Sequence, residues 1–262
     1  MRLERENSWA LILEVKLYGR PRAEELIMIA GLPGMGYVAK QVVDYLIEEM
    51  RATPFGEVVS PHLYPSVVVF NDGLIDSFLE KKFYRFYLSE GGGRGFLFFT
   101  GEAQPSSAEG QRMLADKVAE AAARLGVRRV FTMAAYPVPR YVEEPKVYAV
   151  ATTSSLLEQL VSKGVLVMPG RSSISGMNGL LLEYMAYRGV EGACLLSETY
   201  VIDSADVKAA AALVKKLKEV LDVDIDTTRM EEMAARFEED LHRQYEHLRR
   251  AKEVEKGLGY IY

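Results

Sequence analysis

The chain has 262 residues, of which 49% are hydrophobic and 26% charged, so it can build a sizeable core and is not predicted to be disordered. The formal net charge of -5 argues against nucleic-acid binding as the main function, because neutralising phosphates requires clustered Lys and Arg. The single cysteine, Cys194, excludes an intrachain disulfide and fits a reducing cytoplasm.

The N-terminal residues and the apolar runs give no indication of export or membrane insertion. Residues 1–9 include Arg2, Glu4, Arg5 and Glu6 and lack the apolar centre of a signal peptide. No apolar run approaches the roughly 18 residues that a membrane-spanning helix needs. We therefore expect a cytoplasmic protein that contacts neither membrane nor nucleic acid.

Short apolar runs alternate along the chain with helical periods. Strands are predicted at 11–17, 26–30, 67–70, 83–88, 96–100, 130–134, 165–168 and 192–196, and helices at 37–49, 106–125, from 155, 179–188 and 204–221. Helices of about ten to fifteen residues between strands imply crossover connections. The predicted fold class is therefore α/β, with helices on both faces of a mostly parallel or mixed sheet. The strand pair within 83–100 supplies an antiparallel element.

The glycine-rich segment at 31–37 follows a predicted strand and precedes a predicted helix. In that position a glycine loop can hold a phosphate at the helix N-terminus. Gly31, Gly34 and Gly36 are the candidate phosphate-binding residues. The other interpretation is a tight strand-to-helix turn in which the glycines allow close packing of the backbone.

Two features of the neighbouring sequence favour the turn over the phosphate site. A Walker loop has Lys followed by Ser or Thr after its last glycine, and here Tyr37 and Val38 occupy those positions. A Rossmann site has an acidic residue at the end of its second strand, whereas Glu57 precedes the apolar run that it should end. Phosphate binding therefore stays the alternative.

Residues suited to metal binding or nucleophilic catalysis are scarce. Asp222, Asp224 and Asp226 begin like a calcium-binding loop, but Thr227 and Met233 stand where that loop needs Gly and Glu. The serine-rich segment at 170–176 lacks the glycine spacing of a nucleophile elbow, and the chain has three histidines. We predict no catalytic residue, no metal site and no cofactor, while a serine or carboxylate mechanism stays open.

The last 35 residues differ in composition from the rest of the chain. Thr228 and Glu231 have capping-box spacing, and the sequence continues without Gly or Pro to Lys256, which predicts a helix of roughly 28 residues. A short tail with exposed aromatic residues follows at 257–262. We therefore divide the chain into an α/β domain at 1–226 and a C-terminal helix with an aromatic tail at 227–262.

Five motifs occur in order between about residue 25 and residue 240. They are GLPGMGYVA at 31–39, ISGMNGLLL at 174–182, CLLSET at 194–199, SAD at 204–206 before an alanine-rich helix, and DVDID at 222–226 before the last helix. The ordered set resembles the proteasome-assembly-chaperone family, especially its archaeal members.

The resemblance implies an α/β fold like that of the purine nucleoside phosphorylase and hydrolase group. It also implies a homo-oligomer that helps proteasome α-subunits to assemble. The expected function is therefore that of a non-catalytic protein-binding chaperone, with proteasome α-subunits and further copies of itself as partners. The alternative is an enzyme that binds a nucleotide or nucleoside phosphate through the loop at 31–36.

The C-terminal residues bear on how such a partner would be bound. Members of this family that engage the proteasome can carry a C-terminal hydrophobic–tyrosine–any triplet, which inserts into pockets between α-subunits. The last three residues here are Tyr260, Ile261 and Tyr262, so isoleucine stands where tyrosine is expected. Tyr260 fits the motif only if the register shifts by one residue. Partner binding by this triplet and intramolecular packing of the tail both stay open.

Overall fold

A computed structural model describes residues 13–59, 69–71, 73–76, 83–201, 204–241 and 243. Within these ranges, nine strands form one mixed sheet with helices on both faces, and two strands form a separate hairpin. This confirms the predicted α/β fold class. No helix in the described ranges is both long enough and apolar enough to span a membrane.

The bounds of the elements are as follows. The strands of the main sheet are β1 Glu14–Leu17, β2 Glu25–Ala30, β3 Thr53–Val59, β6 Tyr84–Gly91, β7 Arg94–Gly101, β8 Val127–Pro137, β9 Val147–Ala151, β10 Leu166–Val167 and β11 Glu191–Thr199, and the hairpin consists of β4 Val69–Asn71 and β5 Leu74–Asp76. The helices are α1 Val38–Glu49, α2 Ala108–Arg124, α3 Ser154–Ser162, α4 Met177–Tyr187, α5 Val207–Leu221 and α6 at 228–241.

The sheet has the strand order β1-β3-β6-β7-β2-β8-β11-β9-β10. Its centre, β7-β2-β8-β11, is parallel, because α2 crosses from β7 to β8 and α4 leads into β11. On one side, β6 and β7 form an antiparallel hairpin, and β3 and β1 continue the antiparallel arrangement. On the other side, β9 lies antiparallel to β11. The sheet is therefore mixed, not mostly parallel.

The central strand β2 shows why its sequence is a continuous apolar run. Ile27 and Ile29 pack into the core under α1 and α5, whereas Met28 and Ala30 pack into the core under α2 and α4. A strand that is buried on both faces has no solvent side, so apolar residues occupy every position.

Side-chain hydrogen bonds cap α2 and α3 at residues other than Ser106 and Ser155, the first residues of the two predicted helices. The hydroxyl of Ser107, not of Ser106, accepts the N–H of Gly110 at 3.0 Å at the start of α2. The hydroxyl of Thr153, not of Ser155, accepts the N–H of Leu156 at 3.2 Å at the start of α3. In each case the cap is the residue with extended backbone, which places its oxygen over the first free N–H groups.

Candidate functional site

The glycine loop at 31–37 lies at the carboxyl end of β2 and leads into α1. Gly31 is buried, and a Cβ atom placed there would lie 2.4 Å from the carbonyl oxygen of Ala39. The first turn of α1 therefore packs directly on the end of the strand, with no room for a side chain. The favoured interpretation of this glycine, close backbone packing, agrees with this contact.

The second half of the loop is fixed by its backbone conformation and by α5. Gly36 and Tyr37 have φ values of 60° and 51°, in the left-handed region. The carbonyl of Gly36 accepts hydrogen bonds from the N–H of Asp206 at 2.8 Å and from Nε2 of Gln41 at 3.0 Å. The loop is thus attached to the residue that caps α5.

Two amide side chains connect the loop to the start of α4. Gln104 donates from Nε2 to the carbonyl of Pro33 at 2.8 Å, and its Oε1 accepts the N–H of Met177 at 2.8 Å. Asn178 accepts the N–H of Leu32 on its Oδ1 at 3.3 Å. The glycine loop and the N-terminus of α4 therefore form one hydrogen-bonded unit.

This unit forms part of a cleft of about 1230 Å³ at the carboxyl ends of the central strands. The cleft is also lined by the end of β8, by the serine-rich segment and by the edge strand β10. Most of its described lining residues are small or apolar, and the charged ones among them are Arg171 and Glu183. Open α/β sheets place their ligand sites at this edge, so the cleft is the candidate site.

The structure does not arrange the three candidate glycines around one common space. Gly34 is exposed and lines the cleft. Gly31 and Gly36 are buried, the first against α1 and the second against Val201 and Asp206. Phosphate binding by all three residues stays a prediction, and the geometry favours close packing as the role of the buried pair.

The described part of the chain offers neither an activated cysteine nor a cluster of metal-binding side chains. Burial raises the pKa of the Cys194 thiol to about 12, which keeps it protonated at neutral pH. Among the described residues, no group of three His, Cys, Asp or Glu side chains is placed to hold a metal ion. The carboxylate of Asp226 accepts the N–H of Thr228 at 2.9 Å at the start of α6.

The first turn of α6 is packed against the end of α1. Met230 is 2% exposed and belongs to the core under α1 and α5. The guanidinium of Arg229 lies 2.7 Å from a carboxylate oxygen of Glu48 and 4.9 Å from the ring centre of Tyr45. These contacts fix the position at which the helix starts.

Farther along, α6 is held by a cluster of Tyr141, Lys208 and Glu238, here called the Lys208 cluster. Nζ of Lys208 donates to Glu238 at 2.8 Å and to the hydroxyl of Tyr141 at 3.0 Å, and Tyr141 also donates to Glu238. Lys208 lies in the first turn of α5, at the carboxyl edge of the sheet. Because α6 starts beside the end of α1 and reaches the start of α5, it runs toward the rim that carries the cleft.

The Lys208 cluster predicts a measurable effect of removing the charge of Glu238. Hydrogen bonds from Lys208 and then from Tyr141 lower the pKa of the Glu238 carboxyl. The stability that ionised Glu238 contributes is therefore complete at pH values above its ordinary pKa, and it is lost as the pH falls through the lowered pKa. We expect Glu238→Gln to increase amide hydrogen exchange in residues 234–241 by about fivefold at neutral pH, which corresponds to about 1 kcal/mol.

The matched control for that experiment is Glu239→Gln on the same helix. Within the described ranges, Glu239 forms an ion pair with Arg243, at 3.5 Å, and both side chains are about 70% exposed. An exposed pair of this kind contributes little, so its loss should leave exchange nearly unchanged. Equal exchange in both variants would contradict a role of the cluster in holding α6.

Comparison with known proteins shows where the chain belongs. A family model described as the PAC2 family matches residues 28–245. The chain belongs to the PAC2 family. This confirms the resemblance that the five ordered motifs indicated.

Individual relatives agree with the PAC2 match over most of their length. The crystal structure of Pyrococcus furiosus PbaB, an archaeal proteasome activator, is 31% identical and has a TM-score of 0.78, covering 89% of this chain and 98% of PbaB. MJ1210 of Methanocaldococcus jannaschii, an uncharacterized protein, is 28% identical over 218 residues, which are 82% of this chain and 81% of MJ1210.

A third relative is similar in fold, and at its lower identity it supports the PAC2 fold and no shared function. The crystal structure of P. furiosus PbaA, an archaeal homolog of proteasome-assembly chaperone, is 24% identical with a TM-score of 0.72, covering 94% of this chain and 99% of PbaA. The range matched by the PAC2 model includes the glycine loop, the cleft and the described part of α6. Tyr260, Ile261 and Tyr262 lie beyond that range and outside the described residues.

Proposed function

We propose that the chain is a non-catalytic, oligomeric chaperone that binds proteasome α-subunits. The observation that carries this proposal is the similarity to PbaB, an archaeal proteasome activator, at 31% identity over 98% of the PbaB chain. A match of that extent leaves no large part of PbaB without a counterpart here. The proteasome is therefore the partner that the relationship supports best.

The course of α6 supports docking through the C-terminal residues. The helix is fixed at Arg229 and again at Glu238, and it carries the chain toward the carboxyl-edge rim. The sequence predicts that the helix continues to Lys256, before Tyr260, Ile261 and Tyr262. In this proposal the α/β domain holds the helix in place, and the helix presents the terminal triplet to the α-subunits.

Exposed apolar side chains on the body support self-association. Tyr187 at the end of α4 is 86% exposed, and Leu166 and Val167 on the edge strand β10 are 42% and 50% exposed. An edge strand with exposed apolar residues offers unpaired backbone groups and apolar area to another chain. We expect a defined oligomer in light scattering of the purified protein.

The decisive experiment compares three C-terminal variants for binding to purified α-subunits from the same source. Deleting residues 260–262 should weaken binding at least tenfold, about 1.4 kcal/mol, because the docking residues are lost. Ile261→Tyr restores the hydrophobic–tyrosine–any triplet and should tighten binding. Tyr260→Phe separates the two registers, since it keeps a hydrophobic residue at the first position of the triplet but removes the hydroxyl group that a docking tyrosine uses.

Light scattering after size exclusion would measure both the oligomer and its complex with α-subunits. Unchanged affinity after the deletion would reject the tail as the docking element. If the protein forms no complex with α-subunits, with or without the tail, the proposed function itself is rejected. The nucleotide-binding alternative is supported only by the position of the cleft at the carboxyl edge, and millimolar nucleotide should raise the melting temperature if it holds.

A further inference from the structure

The cleft contains hydrogen-bond donors that have no acceptor among the described residues. They lie at the N-terminus of α4, where Gly176 provides no capping side chain. The first backbone hydrogen bond of the helix runs from Leu180 to the carbonyl of Gly176, at 3.1 Å. Within the described part of the chain, the N–H groups of Asn178 and Gly179 have no acceptor.

The side chain of Asn178 provides an independent indication of a ligand. It is 7% exposed, it lines the cleft, and its Oδ1 is fixed by the N–H of Leu32. Because a carboxamide whose oxygen faces a donor must direct its nitrogen elsewhere, Nδ2 is a fixed donor, and it has no partner among the described residues. Because Nδ2 is not among the enclosed polar atoms of the described residues, it is open to an oxygen atom of a ligand in the cleft.

The charges around this group of donors indicate a singly charged anion. The positive end of the α4 dipole lies at residues 177–179, and the exposed Arg171 lines the same cleft without an ion-pair partner in the described ranges. Glu183 lines the cleft farther along α4 and opposes additional negative charge. A carboxylate therefore suits the site better than a doubly charged phosphate.

The remaining walls of the cleft are suited to an apolar group. Its apolar lining side chains include Met35, Leu157, Val167, Met168, Leu182 and Leu196. The volume of about 1230 Å³ is many times that of a carboxylate, so the acid would occupy one end and an apolar body the rest.

We propose that the cleft binds a ligand with a free carboxylate and an apolar body. Nδ2 of Asn178 and the N–H groups of Asn178 and Gly179 donate to the carboxylate, and Arg171 supplies the opposite charge. The carboxyl terminus of an apolar polypeptide and a small aromatic acid share this chemistry. The site goes beyond proteasome binding, because it lies on the folded body and not on the C-terminal tail.

Calorimetry on the full chain tests the site with three probes. The first is an acetylated Gly-Leu-Leu-Phe peptide with a free carboxyl terminus, the second is the same peptide as its amide, and the third is 3-phenylpropionate. The free-acid peptide should bind at least tenfold more tightly than the amide if the proposed donors hold the carboxylate. Binding of 3-phenylpropionate but of neither peptide would identify a small acid as the ligand class.

Two variants and a matched control link the binding to these residues. Asn178→Asp keeps the acceptor for Leu32 but places a carboxylate where Nδ2 was, so it should reduce binding of the acid probes at least tenfold. Arg171→Gln changes an exposed side chain and should weaken binding about threefold without affecting folding. Arg128→Gln, an equally exposed change at the opposite end of β8, should have no effect.

Three outcomes would overturn the proposal. They are equal affinity for the acid and the amide, no binding by any probe at millimolar concentration, and unchanged acid binding in both cleft variants. Should Asn178→Asp fail to fold, the weakening expected of Arg171→Gln decides alone, because Arg171 is exposed and its replacement does not disturb folding.

Discussion

Replacing Gly31 with alanine should lower the free energy of unfolding by about 3 kcal/mol, because the new methyl group meets backbone that cannot rotate away. The added Cβ would lie 2.4 Å from the carbonyl oxygen of Ala39 and 2.8 Å from its carbonyl carbon. It would also lie 2.9 Å from Cγ2 of Val43. The protein can relieve these contacts only by moving α1 away from the end of β2, which opens the core under that helix.

Gly34→Ala is the control within the same loop. Its added Cβ would have Nε2 of Gln104 as the nearest atom, at 3.7 Å, and its φ of -158° is open to any residue. Its effect should stay within about 0.5 kcal/mol. Urea unfolding measures both variants, with the midpoint shifting and the slope unchanged. A Gly31→Ala variant as stable as the control would mean that α1 moves freely, and close packing would not explain the glycine.

Elements with strong local signals were predictable from the sequence. The run at 26–30 and the helix predicted at 37–49 correspond closely to β2 and α1, because burial on both faces and an amphipathic helix each leave a regular apolar pattern. The resemblance carried by the ordered motifs was likewise confirmed by the PAC2 match. The described part of α6 starts at residue 228, close to the predicted start, although Thr228, the predicted cap, lies within the helix. The predicted end at Lys256 lies outside the described residues.

Other elements depend on contacts between distant residues, which leave no local pattern. The strand β3 includes Pro54 and Gly56, residues that weaken a strand signal, yet Gly56 is suited to its place because a Cβ there would lie 2.6 Å from the carbonyl oxygen of Lys16 on β1. Of the strand predicted at 67–70, residues 69 and 70 belong to β4, which pairs with β5 outside the main sheet, and residues 67 and 68 lie outside the described ranges.

The candidate site was only partly predictable for the same reason. Sequence patterns identified Gly34 but set aside the serine-rich segment, because its spacing fits no catalytic motif. The structure brings Gly34, Arg171 and Asn178 to one cleft through the hydrogen bonds of Gln104 and Asn178, which join segments far apart in the chain. The one available signal was the motif at 174–182, which contains Asn178 but was used only for the resemblance.

Asp206 supports the second large effect, since one buried carboxylate fixes the start of α5. It is 3% exposed, and it accepts the N–H of Ala209 at 3.0 Å and the hydroxyl of Thr199 at 2.5 Å. Asp206→Ala should lower the free energy of unfolding by about 2–3 kcal/mol, because the helix cap and a buried charge-assisted hydrogen bond are lost together. Ser107→Ala removes only a cap, on α2, and should cost about 1 kcal/mol.

Hydrogen exchange distinguishes a general loss of stability from a local one in these two variants. Asp206 also donates its N–H to the carbonyl of Gly36, and Lys208 two residues later holds Glu238 of α6. Fraying of the first turn of α5 should therefore loosen the glycine loop and α6 together. We expect exchange at 34–38 and 234–241 to rise in Asp206→Ala and to stay unchanged in Ser107→Ala. A uniform rise in both variants would mean that the start of α5 does not couple the cleft to the C-terminal helix.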